Sequence, residues 1–438
     1  MWKIGRALTA LGGVLLILLT PAGCGIVSGP SGEVCPKPPA ACNAVSQNRY
    51  VYDFMKDLYF WADTVPVVDY TSYATPGDVL AATVYTPKDR WSYISTATAF
   101  TSIFSQGQYI GYGFGVKLGS DGVWRFYIVY PGSPAAVAGL RRGYALTSLN
   151  GLPVAQIASQ NLWNTEFGAD VTGVQMGVGY TDATSASGNV TLTKGIVTVP
   201  PVYDARVLSY SGGSAGYLSF TMFNETTPGA VADAFARFQR AGIQDLVVDL
   251  RYNGGGLLYQ TADIAGRIAD YQAAGAVFNR YRHNAAHRWL DRLLRFSITG
   301  PAASGGRVIV ITTASTASAS ESLINGLKPF MNVVLVGSKT QGKPAGMYGC
   351  QFCGNVISAI AFELENAHGE GGYYNGIGVT CAADDGLTFQ LGDPAEPSLK
   401  AALYYAANGS CPPTTAQKPG VLPVAAPLTG IHAEAGAY

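Results

Sequence analysis

Beyond Pro200 the sequence predicts an α/β domain, with βα units arranged around a mostly parallel sheet. Three observations carry this. Leu246-Val-Val-Asp-Leu250 and Arg307-Val-Ile-Val-Ile-Thr312 are short apolar runs of the kind that form buried strands. Each ends in glycines or small residues and is followed by a helical pattern, Leu257 to Ile268 and Ser320 to Phe330. A third apolar strand, Val333 to Val336, follows, and the regular alternation is the mark of βα units. Gly216-Tyr-Leu-Ser-Phe220 and the amphipathic stretch Ala230 to Phe238 supply an earlier strand and helix.

The preceding elements read in order. Lys3 and Arg6 lead into an apolar run, Ala7 to Leu19, then Pro21-Ala-Gly-Cys24. This is a signal-peptide pattern over residues 1–24, too short and wrongly flanked for a membrane span. The small residues before Cys24 resemble a bacterial lipobox, which implies a lipid anchor on that cysteine, although Pro21 stands where an aliphatic residue is usual. Residues 25–44 form a Pro/Gly/Ser-rich spacer. Residues 45–105 form a helical segment in which Tyr50, Phe54, Leu58 and Trp61 recur at helical steps. Residues 412–438, rich in Pro and Ala, read as a poorly ordered tail after a core spanning 199–411.

Between these parts the texture changes. Gly111-Tyr-Gly-Phe-Gly-Val116, a strand from Val123 to Val129, Pro131-Gly-Ser-Pro134 and a tight turn at Asn150-Gly151 suggest a small β domain over 106–198. Its pattern resembles a PDZ domain. The resemblance implies a loop at Gly111, Phe114 and Gly115 that receives a peptide C-terminus while the peptide adds a strand to the sheet edge. Tyr144 stands where bacterial PDZ domains of this kind usually carry an acidic residue.

Composition narrows the function. The 438 residues are 48% hydrophobic and 13% charged with zero net charge, which offers nucleic acid no electrostatic footprint. Setting Cys24 aside, Cys35, Cys42, Cys350, Cys353, Cys381 and Cys411 remain, an even set that suits disulfides in an oxidising compartment. Cys35 and Cys42 are expected to pair locally; the connectivity of the other four is open. Cys350-Gln-Phe-Cys353 has half of a zinc spacing, but nothing supplies the other half, and no metal or cofactor is expected.

The chemistry concentrates in two turns. Ser315-Thr-Ala-Ser-Ala-Ser-Glu321 joins a strand to a helix, so Ser318 sits close to the free N–H groups of a helix N-terminus. Thr340-Gln-Gly-Lys-Pro344 follows the next strand and carries Lys343. Neighbouring strands would bring a serine and an activating amine to one sheet edge. A third segment, Asp249-Leu-Arg-Tyr-Asn-Gly-Gly-Gly256, offers Gly254 or Gly255 as one N–H donor of an oxyanion hole, with Ala319 as the other. Gly337-Ser-Lys-Thr-Gln-Gly-Lys343 mimics a phosphate loop, but Pro344 replaces the hydroxyl residue that would hold magnesium.

With these motifs, the Asp249 segment, Ser315–Glu321 and Thr340–Pro344, and a β domain between helical segment and core, the chain resembles the carboxyl-terminal processing peptidases, or tail-specific proteases, of peptidase family S41. The resemblance covers about 48–410. It implies a ClpP/crotonase-like βα spiral core, Ser318 as nucleophile, Lys343 as general base, and protein or peptide substrates. Lysine serves as a base only when uncharged, a state that burial among Phe330, Val334 and Leu335 would favour. Many relatives place a glutamine where Met347 stands, and several an aspartate where Pro329 stands, so the group that orients Lys343 is open, Gln341 being one candidate. Glu321 reads as a first-turn helix acid rather than a catalytic partner. Rival readings are a histidine-based triad, with His368 nearest the active segments in sequence, and a non-catalytic peptide- or lipid-binding envelope protein on the same scaffold. A Ser-x-x-Lys hydrolase is disfavoured because Glu321 occupies the lysine's place. The sequence leaves oligomeric state open.

Overall fold

The structure, a computed structural model, describes residues 34–269, 273–297, 306–413 and residue 432. Cys24 and its signal segment lie outside the described residues, as does nearly all of the C-terminal tail.

The core is a six-stranded sheet in the order Val202–Tyr210, Gly213–Phe220, Asp245–Asp249, Arg307–Thr312, Asn332–Gly337 and Cys381–Ala382. All neighbours are parallel except the first two, which form a hairpin. Alternation along the strands divides the core. Leu246, Val248, Val308, Val310 and Leu335 face the helices Thr227–Ala241, Gln260–Ile268 and Ala319–Leu327, whose Phe235, Phe238, Ile264, Leu323 and Ile324 share that cluster. Val247, Ile309, Ile311, Val334 and Val336 face the other way, onto Leu399 and Ala402 of the helix Pro397–Asn408. A sheet covered on both faces explains why its central strands are continuous apolar runs.

A second, antiparallel sheet holds Tyr93–Thr96, Asn355–Asn366, Val277–His283 and Arg292–Arg295, with Ala345–Phe352 also paired to Asn355–Asn366. The N-terminal helix Ala44–Asp57 starts at Asn43, whose side chain accepts the Ser46 N–H at 2.9 Å. It buries Tyr50, Val51, Phe54 and Met55 in the main core, with Tyr50 stacked 4.8 Å from Phe352. The segment expected to be helical throughout instead contains a strand, Tyr93–Thr96, which closes the edge of the second sheet before the chain turns helical again at Ala97–Thr101.

The β domain is a sheet of Phe114–Leu118, Trp124–Val129, Ala145–Leu149, Gln175–Thr181 and Ser187–Thr193, with Leu152–Pro153 attached. Its own core contains Phe114, Phe126, Trp163, Phe167 and Met176. Gln108–Gly111 pairs with Gly195–Thr198 where the domain joins the core.

The cysteine pairing corrects one expectation. Cys35 bonds Cys350, Cys42 bonds Cys353 and Cys381 bonds Cys411. The N-terminal segment does not close on itself; it lies along the Ala345–Phe352 hairpin, so each of its cysteines meets a different hairpin cysteine. The zinc reading loses Cys350 and Cys353 to these bonds.

Candidate active site

The two strands that lead to Ser318 and Lys343 are parallel neighbours, and their ends pair as Thr312 with Gly337. Ser318 and Lys343 lie the same number of residues beyond that pair, so equal lengths of loop return them to one edge, where ligands gather in open parallel sheets. Ser318 is 7% and Lys343 6% exposed, each near the floor of this edge.

Ser318 is the N-cap of the helix Ala319–Leu327 and holds φ 52° and ψ −115°. A non-glycine residue in that region is strained and needs a surround that enforces it. The surround is visible. The Asn253 carbonyl accepts the Ala317 N–H and the Ser320 hydroxyl, both at 3.1 Å. Thr316 Oγ donates to the Leu250 carbonyl at 2.7 Å, and Thr313 Oγ donates to the Arg251 carbonyl. The glycine segment and the serine turn are therefore stitched together on both sides of Ser318.

Glu321 is the first-turn acid that the sequence predicts, and it is also fully buried and accepts four donors, three of them from a loop the sequence did not connect to it. Oε2 takes the N–H of Ser318 at 3.0 Å and of Lys343 at 2.7 Å. Oε1 takes the Gly342 N–H at 2.6 Å and the Thr340 hydroxyl at 2.5 Å. Burial pushes this carboxyl up, against the pull of those hydrogen bonds. One carboxylate oxygen thus holds the backbones of Ser318 and Lys343 no farther apart than two hydrogen bonds end to end. The sequence signal for this was the acid three positions after the N-cap, a capping spacing with many uses.

The glycine segment meets Ser318 directly. A Cβ on Gly255, which has φ +119°, would lie 2.8 Å from Ser318 Cβ and 3.0 Å from the Ala319 nitrogen, so only glycine fits. The Gly255 N–H is bonded to Asn253 Oδ1 at 2.9 Å. Of the two candidate glycines, Gly254 is the one without that commitment. Gly342 is constrained likewise: at φ +93° its Cβ would lie 2.4 Å from the Tyr374 carbonyl oxygen.

Lys343 Nζ lies 3.7 Å from Met347 Sδ, a soft acceptor at the position where the resemblance implies glutamine. Gln341 does not orient the lysine in this structure. Its side chain accepts from Trp91 Nε1 at 3.2 Å, its carbonyl accepts from Arg90 at 2.9 Å, and its N–H donates to the Thr316 carbonyl at 2.9 Å. The histidines are engaged elsewhere. His283, pushed down by burial, sits between Asp291 and Tyr348, His287 bonds Asp57, and His432 bonds Asp170. The backbone N–H of His368 donates to Asn366, and no histidine bonds Ser318 among the described residues.

A second buried cluster backs the glycine segment. Asp385 receives Lys117 at 2.6 Å, Arg142 at 3.1 Å and Arg251 at 3.2 Å, and Arg251 also pairs with Asp249 and Glu396, both at 2.7 Å. Burial alone would raise the Asp385 carboxyl, but the three cations override it and hold it well below its ordinary range. Lys117 and Arg142 belong to the β domain, so this network fastens that domain to the strand end that leads into the glycines. In the loop expected to receive a peptide, Gly111, Phe114 and Gly115 are buried.

Comparison with known proteins is consistent with this geometry. Residues 214–377 match peptidase family S41 and residues 46–93 match the peptidase S41 N-terminal domain. A carboxyl-terminal-processing protease of Picosynechococcus is 25% identical over 55% of this chain and 56% of its own length. One of Synechocystis is 28% identical over 48% of this chain and 47% of its own. The chain spans about half the length of these curated relatives. Among solved structures, a Bacteroides fragilis protein assigned to the S41 proteases superposes with TM-score 0.65 at 22% identity, over 86% of this chain and all of its own. The photosystem II D1 C-terminal processing protease superposes with TM-score 0.51 at 18% identity, over 78% of this chain and 94% of its own. These likenesses establish a shared fold.

Proposed function

The chain carries peptidase family S41 domains, and from that premise we propose that it is a serine peptidase acting through Ser318 and Lys343. The observation that carries the reading is the Glu321 carboxylate, which ties the backbone of the candidate nucleophile to that of the candidate base through one oxygen. Ser318 Oγ attacks the scissile carbonyl while the Lys343 amine takes its proton. The Ala319 N–H and, on the hydrogen-bond accounting above, the Gly254 N–H stabilise the oxyanion. Lys343 then returns the proton to the leaving amine, and water activated by the same amine hydrolyses the acyl-enzyme.

That the similar cyanobacterial proteins are carboxyl-terminal-processing proteases supports protein substrates processed near their carboxyl ends. In this reading the β domain serves as a PDZ-like receptor for substrate C-termini at Gly111, Phe114 and Gly115. Export fits the three disulfides, which persist in oxidising compartments, and a lipid on Cys24 would hold the protein at the bacterial envelope. Among the described residues no helix is long and apolar enough to cross a membrane.

The test is digestion of an unstructured protein such as casein. Ser318→Ala should abolish cleavage while leaving the thermal transition in place, and undiminished cleavage by that variant would refute the proposal. The thioether beside Lys343 Nζ favours a second reading, a peptide- or lipid-binding protein without turnover, which predicts that the wild type cleaves nothing under the same conditions.

A further inference from the structure

Three cations stand around Gln341, the residue at which the N-terminal segment meets both candidate catalytic turns. Arg90 Nη2 donates to the Gln341 carbonyl at 2.9 Å and its guanidinium lies 4.3 Å over the Trp91 ring. Lys88 Nζ lies 4.8 Å over the Tyr374 ring. Lys339 packs beside Gly376, its Cγ 3.0 Å from where a Cβ would stand there. Lys88, Arg90 and Lys339 are exposed, and none forms an ion pair among the described residues.

The carboxylates nearby are engaged by other donors. Asp89, between Lys88 and Arg90, is buried and accepts the Trp91 and Ser92 N–H groups and the Tyr59 and Ser92 hydroxyls. Glu363 is bonded by the Tyr374 hydroxyl, and Glu321 is committed to its four donors. In a chain with zero net charge, this edge therefore presents unpaired positive charge backed by two aromatic faces. The Gln341 N–H reaches the Thr316 carbonyl, two residues before Ser318, so the cations border the site itself.

We propose that Lys88, Arg90 and Lys339 form a subsite for a carboxylate of the peptide that occupies the Ser318 site, an acidic side chain or the chain-terminal carboxylate close to the scissile bond. The assignment rests on the peptidase reading for the site it borders. Exposed charge contacts are individually weak, so the subsite selects among peptides and leaves the chemistry to Ser318 and Lys343. The approach of such peptides is accelerated at low ionic strength.

Binding is measured by fluorescence anisotropy on the full-length Ser318→Ala protein, which leaves the rim intact and needs no turnover. Four labelled peptides of one unstructured sequence are compared: internal Glu or Gln, each with a free or an amidated C-terminus. Tighter binding of a carboxylate-bearing peptide is expected, and which pair differs identifies the carboxylate source. Lys88→Glu with Lys339→Glu should weaken that peptide about tenfold and leave the doubly neutral peptide unchanged; Arg90 is spared because it also holds the Gln341 loop. Equal binding of all four peptides, or equal weakening of all four by the double variant, overturns the proposal. Loss of turnover in the wild type would instead overturn the peptidase reading, since the binding result is read separately.

Discussion

Replacing Glu321 with glutamine keeps the shape of the side chain and removes one of its two acceptor oxygens. The carboxylate serves Ser318 N–H and Lys343 N–H through Oε2, and Gly342 N–H and Thr340 Oγ through Oε1. In Glu321→Gln the remaining oxygen can keep the Ser318 and Lys343 bonds. The Thr340 hydroxyl, which already accepts the Ile377 N–H at 2.7 Å, can also accept from the new amide, but its own proton then loses its acceptor. The Gly342 N–H and the Thr340 O–H both lose their partner oxygen, at a cost of about 1–3 kcal/mol for each that stays unsatisfied. Glu321→Ala leaves three backbone N–H groups unserved, which costs roughly 3 kcal/mol or more by the same reasoning. Urea denaturation should rank the proteins wild type, Gln, Ala. Because small misplacements of catalytic groups can cost on the order of 100-fold in rate, peptide hydrolysis should fall in the same order, with Ala down about 100-fold. An alanine variant with wild-type stability and turnover would refute the argument that this carboxylate holds the two turns together.

Other expectations follow from the buried charges and the cross-links. Asp385→Asn leaves Lys117 and Arg142 without their counter-charge and should cost about 3–5 kcal/mol in chemical denaturation; a change within about 0.5 kcal/mol would contradict the clasp. Since the Asp385 carboxyl is held below its ordinary value of 3.8, its stabilisation is complete above that value and lost as pH falls toward the depressed one. The wild type should therefore lose more stability than Asp385→Asn between about pH 6 and about pH 3. Replacing Cys42 and Cys353 with serine leaves Cys35–Cys350 closing nearly the same loop, so this loss should be smaller than removing both bridges, which should cost about 4–5 kcal/mol. Equal losses in urea melts would show that the two bridges do not share one constraint.

The parts of the site carried by local pattern were legible in the sequence. Arg307–Thr312 is apolar enough to be a central strand, and the small residues after it leave room for the tight turn that presents Ser318. Lys343 could be matched to it because the next strand, Asn332–Gly337, is its sheet neighbour. What failed depended on partners distant in the chain. Cys35 and Cys42 look like a local pair until the hairpin carrying Cys350 and Cys353 lies beside them. Glu321 looks like a helix cap until the Thr340–Lys343 loop delivers three more donors to it. Asn253 and Asp385 carry no signature of their own; their roles come from carbonyls, N–H groups and cations gathered from separate segments. Asp249 and Arg251, charged residues at the end of an apolar strand, belong to that buried ion network.

The central claim is that the Ser318 hydroxyl is activated by the Lys343 amine. Its most direct measurement is to treat wild type and Lys343→Met with a fluorophosphonate and map the adduct by peptide mass spectrometry. The account predicts modification at Ser318 in the wild type and its loss in Lys343→Met with the fold retained. Adduct at Ser318 forming at the same rate in both proteins, or substrate cleavage by a wild type that is never labelled there, would contradict it.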